Sequence, residues 1–393
     1  MPKTIIDFHV IQTVPPSNLN RDDTGSPKTA LYGGVQRARV SSQAWKKAIR
    51  EMFREHFKEA ELGMRTKRIV EPVAKRIEET DAEITREEAL KLAEKAVNAA
   101  GVTTENSKTK GREDIREAKA LFFISATQAN ALARLAAEAK QSGAEIDKAA
   151  AKDALNRKGH AVEIALFGRM VADDPLLNAN ASAQVAHSIS VHKAENEYDY
   201  FTAVDDAKER SEEKEDAGAG MRGFLEFNSS TLYRYATVFT DLLYEELASD
   251  AQVTAKAVSE FARGFIASMP TGKQNTFANR TPAYAVLVTI REDQPLNFVG
   301  AFETPIKPSE KEGFARRATR ALARHADNVY RAFARPPLRS YVAALDEAAD
   351  ILAEQKNRDG SPCRRLNLDE LLEALADEMR ARFGGASDAR PKA

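Results

Sequence analysis

Between Gln36 and Arg50 the chain carries Arg37, Arg39, Lys46, Lys47 and Arg50 and no acidic residue, with two hydroxyls, Ser41 and Ser42, where a helix is due to begin. Free N–H groups at a helix N-terminus, the positive end of its macrodipole and an uninterrupted run of cations together suit an anion such as a phosphate. The same run also serves as an ordinary solvated face. On a wheel of about 100° per residue, Trp45, Ala48, Ile49, Met52 and Phe53 form one arc and Lys46, Lys47, Arg50 and Arg54 the adjacent one. One face packs while its neighbour is basic.

Other polar constellations are less complete. Asn20-Arg21-Asp22-Asp23 sets an amide, a guanidinium and two carboxylates together, either as a metal-binding acidic pair or as a turn in which Asp caps its own backbone; the turn is preferred. A two-metal nuclease needs further convergent carboxylates, for which Asp205-Asp206 is the nearest candidate. His187 and His192, five apart, suit a metal or acid–base role only if a bent strand brings them together, and structural histidines are commoner. No GxSxG elbow or strand-to-helix phosphate loop is present, and Gly33-Gly34 reads as a flexible turn. Met170 and Phe201 are side chains of the kind that stack on or wedge between bases, although such residues more often fill a core.

These groups must be positioned by elements that the pattern predicts. Residues 4–14 (TIIDFHVIQTV) suit a buried strand, followed by a polar, turn-forming loop. ARVSS is a short extended piece leading into the helix QAWKKAIREMFREHF. From about 71 to 158 the texture is helical, including ITREEALKLAEKAVNAA and DIREAKALFFISATQANALARLAAEAK, which reads as an insertion. Strand texture returns at AVEIALFGRM (161–170), and the charged, Gly-rich AKERSEEKEDAGAGMRG closes a segment poor in core pattern. A strand FLEFNSSTLYRYATVF, a helix around VTAKAVSEFARGFIASM, a loop PTGKQNTFANRTP and a strand AYAVLVTI complete the order strand, helix, strand, strand, helix, strand of a ferredoxin-like sheet.

Bulk properties bound the class. With 393 residues there is room for two domains or one with large insertions. Lys+Arg at 58 nearly cancel Asp+Glu at 59, so a nucleic-acid role must rest on local patches. The single cysteine, Cys363, excludes an intrachain disulfide, and no Cys/His spacing suits zinc. The first residues lack the apolar run of a signal peptide and no stretch is long and apolar enough for a bilayer, so a cytoplasmic protein without membrane contact is expected.

Taken together, NLNRDD (18–23), GG-x-x-R-x-R-V-SSQ-x-x-K (33–46), GRM (168–170), FTAVDD (201–206), YRYA (233–236), GKQ (272–274) and AFE (301–303) resemble the CasC family, the repeating backbone protein of the type I-E CRISPR Cascade complex; the motifs extend over about three quarters of the chain. The resemblance implies an α+β fold: an RRM-like (ferredoxin-like) palm from 1–60, 161–175 and 224–393, helical fingers from 61–160, and an extended β-hairpin thumb from 176–223. It implies a non-enzymatic subunit, with no cofactor or metal, that polymerises on CRISPR guide RNA. Each thumb kinks the guide and displaces a base at intervals, leaving the rest to pair with target DNA. Partners would be neighbouring copies of itself and the large, small, guide-processing endoribonuclease and tail subunits. Residue by residue it carries guide-backbone contact to Asn20, Arg21, Lys28, Ser41, Ser42, Gln43, Lys46, Lys47 and Arg50. Base or kink contacts fall on Arg169, Met170, Phe201, Thr202 and Val204, and further RNA contacts on Lys273 and Gln274. A metal-dependent nuclease built on Asp22, Asp23, Asp205 and Asp206, and a protein-only scaffold whose basic patch binds acidic partners, are the rival classes.

Overall fold

The computed structural model describes residues 3–58, 61–81, 83–110, 115–156, 160–171, 174–203 and 221–384. Val204, Asp205-Asp206, nearly all of the charged stretch 207–222 and the tail from 385 lie outside them. The chain opens with β1 (Ile5–Ser17), β2 (Thr29–Tyr32), β3 (Val35–Val40) and α1 (Ser42–His56). There follow β4 (Gly63–Thr66), α2 (Val70–Thr80), α3 (Arg86–Ala99), β5 (Thr104–Asn106), β6 (Arg116–Ala118), β7 (Phe122–Ser125), α4 (Ala126–Ser142), α5 (Lys148–Asn156) and α6 (Val162–Phe167). Next come β8 (Ala183–Val185), β9 (Ser188–Ser190), β10 (Glu197–Ala203), β11 (Met221–Phe239), α7 (Thr240–Glu246) and α8 (Ala251–Ala267). The last elements are α9 (Gln274–Phe277), β12 (Ala285–Arg291), α10 (Phe314–Ala332), β13 (Arg339–Ala344), α11 (Glu347–Ala353), β14 (Arg364–Arg365) and α12 (Leu368–Phe383).

These elements form two compact units, one of residues 1–49, 185–237 and 261–374, the other of 50–184, 238–260 and 375–393, a division that cuts the chain differently from the palm, fingers and thumb ranges. In the first unit a mixed sheet has the order β14-β13-β12-β1-β11-β9-β3-β2. Taking only the strands around the two long helices, the chain runs β1-α1-β9-β11-α8-β12, with β12 antiparallel to β1 from Ile5↔Arg291 to Ile11↔Ala285 and β9 antiparallel to β11.

The period of two along β1 sends alternate side chains to opposite faces. Phe8 meets Phe261 and Phe265 of α8 edge-on, with ring centroids 5.6 and 6.1 Å away. On the same side Ile49 presses against Gly264, where an added Cβ would lie 2.9 Å from its Cγ2. Asp7, His9 and Ile11 point the other way. The His9 ring stacks 4.5 Å from Phe298, and Ile11 joins a core with Phe298, Phe302, Ala318, Leu322 and Ala326, so α10 covers the face opposite α1 and α8. The YRYA segment feeds both faces. Tyr233 and Tyr235 lie under α10, with Tyr233 Oη 2.9 Å from His9 Nδ1 and Tyr235 Oη donating to Asp7 Oδ1 at 2.8 Å. Arg234 sits on the other side, its guanidinium 3.7 Å above the Trp45 ring.

In the second unit α2, α3, α4 and α5 enclose Ile69, Val73, Ile77, Val97, Leu132 and Leu155. Two local expectations are corrected here. Residues 162–167 are helical, not a strand: VEIALF is buried on all sides but its last residue, so period cannot distinguish the two, and Gly168 at φ 74° ends the helix. The stretch read as one helix from 114 is a pair of strands before α4, because Ser125 and Gln128 form a capping box that starts the helix only at Ala126. The Gly33-Gly34 turn is packed, not flexible: with φ 60° and 76° it closes the β2–β3 hairpin, and a Cβ on Gly33 would fall 1.7 Å from the Glu303 carbonyl oxygen.

Asp7 and His9 give the core opposed pH dependences. Burial raises the Asp7 carboxyl to about 6 and lowers the His9 imidazole to about 3. The folded state takes a proton on Asp7 more readily than the unfolded chain, so the stability this group contributes is full below pH 3.8 and is lost as pH rises through about 6. It resists a proton on His9, so stability falls as pH drops from 6.5 toward 3. Asp7→Asn should leave the His9 effect unopposed, and its stability should fall between pH 6 and 4 more steeply than that of the parent by up to about 1.4 kcal/mol per pH unit. Parallel denaturant-unfolding curves for the two proteins across this window would refute the pairing.

Candidate nucleic-acid interface

The loop after β1 folds back on itself. Asp22 Oδ1 accepts from the Thr24 and Ser26 N–H groups at 3.0 Å each and from the Thr24 hydroxyl at 2.7 Å, and that hydroxyl and those amides hold its carboxyl below the usual range. Asp22 is therefore a turn cap, as preferred from sequence. This turn leaves Arg21 exposed and returns the chain so that the Lys28 N–H donates to the Asn20 carbonyl at 2.9 Å. The Asn20 side chain accepts from the Ser41 N–H at 2.9 Å, which ties the loop to the start of α1.

Ser41 is the helix cap: its Oγ accepts from the Ala44 N–H at 3.3 Å, and its hydroxyl is buried. Ser42 is half-buried, Gln43 and Lys47 are exposed, and Lys46 is half-buried with its ammonium held below the usual lysine range by desolvation. A third segment closes on the same place. A Cβ on Gly272 would fall 2.3 Å from the Leu19 carbonyl oxygen and 2.6 Å from that of Asn18, so only glycine lets the loop lie on the backbone there. Lys273, at φ 50°, and the exposed Gln274 follow directly. NLNRDD and GKQ, about 250 residues apart, thus touch, and the SSQ segment is hydrogen-bonded to the first. Asn20, Lys28, Arg39, Asn228 and Ser230 line a polar notch of about 20 Å³. Asn228 and Ser230 carried no sequence signal, because β11 brings them there from far along the chain.

Not every cation of the basic run belongs to this surface. Arg37 is fully buried and donates to the carbonyls of Tyr32, Ser190, Phe302 and Glu303 at 2.8–3.2 Å, joining the GG and AFE motifs. Arg39 is half-buried, donates to the Thr29 carbonyl and lies 3.0 Å from His187 Nδ1. Desolvation, then Arg39 and Lys28, keep the His187 imidazole below its usual value. His192 accepts the Thr231 N–H at Nε2 and donates to the Lys193 carbonyl from Nδ1, so both ring nitrogens are spent on the backbone and the two histidines form no joint site.

In the second unit Arg50 donates from Nε to the buried Glu163 at 2.7 Å and lies 4.7 Å from the Phe123 ring, so the wheel placed it with the lysines while its charge is compensated locally. Arg169, carried over as a base contact, is only 5% exposed. It donates to the carbonyls of Leu177 and Leu155 at 2.8 Å and of Phe123 at 3.2 Å, stands over the Phe122 ring, and is lowered by burial to about 10. Backbone bonds between Arg169 and Ala179 at 2.9 and 3.0 Å close the same turn. Its neighbour Met170 is 85% exposed. Arg169 thus fixes the turn and Met170 projects from it.

In the first unit β10 and β11 form an antiparallel hairpin from Glu197↔Phe227 to Ala203↔Met221, with Thr202 opposite Arg222. Phe201 lies over Gly223, 41% exposed, its ring filling the space a Cβ would need. The opposite face shows Tyr198, Tyr200 and Phe224, with Tyr200 and Phe224 rings 5.2 Å apart. Val204 lies outside the described residues.

The fold is that of an α+β protein built on a large mixed sheet, with a basic, amide-rich surface beside its β2–β3 end. Residues 6–374 match the model of the CT1975-like protein family, and the chain belongs to that family. It is similar to a chain of a structure described as "CRISPR RNA-guided surveillance complex, pre-nicking", with 32% identity, a TM-score of 0.80, and coverage of 95% of this chain and 100% of that one. A chain of a "CRISPR RNA-guided surveillance complex" is similar at 28% identity and TM-score 0.68, over 94% of this chain and 99% of that one. No curated protein matches. The kinship with surveillance-complex subunits that the motifs indicate therefore holds.

Arg169 and Met170 should separate in a stability measurement. Arg169→Ala leaves buried carbonyls unpaired at roughly 1–3 kcal/mol each and should cost about 3 kcal/mol or more. Met170→Ala, at an exposed position, should stay within about 0.5 kcal/mol. Equal effects in chemical denaturation would contradict the division of roles.

Proposed function

We propose that this protein is a non-catalytic backbone subunit of a type I-E Cascade complex that binds guide RNA along its phosphate backbone. The convergence of Asn20, Lys28, the α1 N-terminus and the Lys273-Gln274 loop on one surface carries this reading. Its donors are cations and amides, which suit phosphate and ribose contact and leave base edges available for pairing with target DNA. In this reading the sheet of the first unit is the RRM-like palm, the helices of the second are the fingers, and the β10–β11 hairpin is the thumb, with Phe201 and Met170 as the exposed apolar side chains that act on displaced bases. The bases of the guide do not lie on the sheet in the usual RRM manner, because Tyr233, Tyr235 and His9 are buried beneath α10. Neighbouring copies, other subunits and a cytoplasmic setting follow from the same assignment. A nuclease centred on Asp22 is disfavoured by the three hydrogen bonds that turn its carboxylate into its own loop.

The test is retention of RNA by the protein co-expressed with its repeat array and partner subunits, followed by salt titration of guide binding. Each lost phosphate contact flattens the slope of log K against log[salt] by about 0.7 for single strands. Lys46→Ala with Lys47→Ala should flatten it by about 1.4 and weaken all guide sequences alike. An unchanged slope would take α1 off the RNA path, and sequence-selective weakening would replace backbone contact with base readout.

A further inference from the structure

The notch lined by Asn20, Lys28 and Arg39 has a composition that phosphate contact does not explain. Its volume of about 20 Å³ admits one water-sized group and is too small for a tetrahedral phosphate. Ser17, Asn228 and Ser230 also line it, all at most 7% exposed. Asn228 and Ser230 lie two apart on β11 and so share one face of the strand. The Asn228 amide is oriented by its neighbours. Glu226 Oε2 accepts from Asn196 Nδ2 at 3.2 Å, and Asn196 Oδ1 accepts from Asn228 Nδ2 at 3.1 Å. A carboxylate only accepts, so it fixes both amides in turn and leaves Asn228 Oδ1 as an acceptor. Among the described residues nothing donates to that oxygen, and the Ser17 and Ser230 hydroxyls have no hydrogen-bond partner. A small ligand group that donates a proton satisfies this notch, and an ionised phosphate, which only accepts, does not.

We infer that this notch receives the 2′-hydroxyl of one guide ribose and makes the surface selective for RNA over DNA. The inference rests on the guide-binding reading, and the experiment separates the two. A strand whose phosphates lie against Lys28 and its neighbours presents its ribose hydroxyls beside them, while its bases are held out for pairing. The hydroxyl donates to Asn228 Oδ1 and accepts from the Ser230 hydroxyl, so both of its roles are met. Deoxyribose brings no group to the notch, and a 2′-fluoro sugar brings one without a proton. A 2′-O-methyl group adds a carbon for which a notch of this size has no room.

The full-length protein is titrated with fluorescent single strands of one sequence and length that carry ribose, deoxyribose, 2′-fluororibose or 2′-O-methylribose. RNA should bind most tightly, and each of the other three should be weaker by about fivefold per bound copy, the loss of one hydrogen bond. The log–log salt slopes of RNA and DNA should agree, because their phosphates are the same. Asn228→Ala should abolish the difference between RNA and the deoxy strand, with thermal unfolding reporting whether the variant is folded; if it is not, the sugar series on the parent protein decides. Equal binding of RNA and DNA by the parent overturns the inference and leaves the guide-binding reading standing. RNA-like binding of the 2′-fluoro strand also overturns it, since fluorine keeps the sugar pucker of RNA but donates no proton. A folded Asn228→Ala variant that still discriminates overturns it by placing the discrimination elsewhere. Failure to bind any of the four strands is the separate failure of the guide-binding reading and removes the inference with it.

Discussion

The stacking of the Arg234 guanidinium on Trp45 is the contact around which the first unit is organised. A charge buried to this degree is costly unless it is compensated, and here Nη1 reaches Gln12 Oε1 at 2.5 Å, Nη2 reaches the Phe265 carbonyl and the indole face takes the cation, while Nε is buried without a hydrogen-bond partner. Its own desolvation lowers it to about 9. Four elements are fixed by one side chain: β11 supplies the arginine, α1 the tryptophan, β1 the glutamine and α8 the carbonyl. The Trp45 indole N–H then donates to Ser188 Oγ at 2.9 Å, which adds β9. Because the start of α1 is held in this way, Ser41 and the lysines that follow it have a defined position next to the Asn20 loop.

The same device recurs. Arg37, Arg169 and Arg291 are, like Arg234, at most 5% exposed, and each donates to backbone carbonyls, Arg291 also to the Asp293 carboxylate at 2.7 Å. A guanidinium presents five N–H groups in a fixed fork and can gather carbonyls from several segments at once. Lysine lacks that geometry, and the lysines of the basic run accordingly stand at the surface or half-buried, Lys46 and Lys47 on α1 and Lys28 and Lys273 on the loops. The near-neutral composition therefore misstates the surface in two ways: part of the positive charge is structural, and the remainder is gathered into separate patches.

Glycines do comparable work where segments meet. Gly33 against Glu303, Gly272 against Leu19 and Gly223 under Phe201 are each places where a Cβ has no room. In the first two cases a motif glycine marks a tertiary contact between distant stretches, and in the third the two residues face each other across one hairpin, so the motif spacing records packing as much as ligand contact.

The sequence by itself determined the elements whose apolar spacing is long and regular: β1, α1, α8 and β12; the β-α-β-β-α-β order was only partly legible, because 161–170, which reads as its second strand, is helical and β9 (Ser188–Ser190) takes that place. It also determined the Asp22 turn, because an Asx turn is a local hydrogen-bond pattern, and the surveillance-complex kinship, because that rests on motif order. The short run 162–167 was not legible, since five consecutive buried residues carry no period. Which arginines are surface and which are core was equally hidden: Arg37 and Arg39 lie two apart on one strand, yet only the first faces a cage of carbonyls. Arg50 and Lys46 share a helical arc, yet Glu163, more than a hundred residues away, decides that one is compensated. Only the tertiary structure settles such cases, because the charge available at a surface depends on partners that the fold, and not the neighbouring sequence, brings within hydrogen-bonding distance.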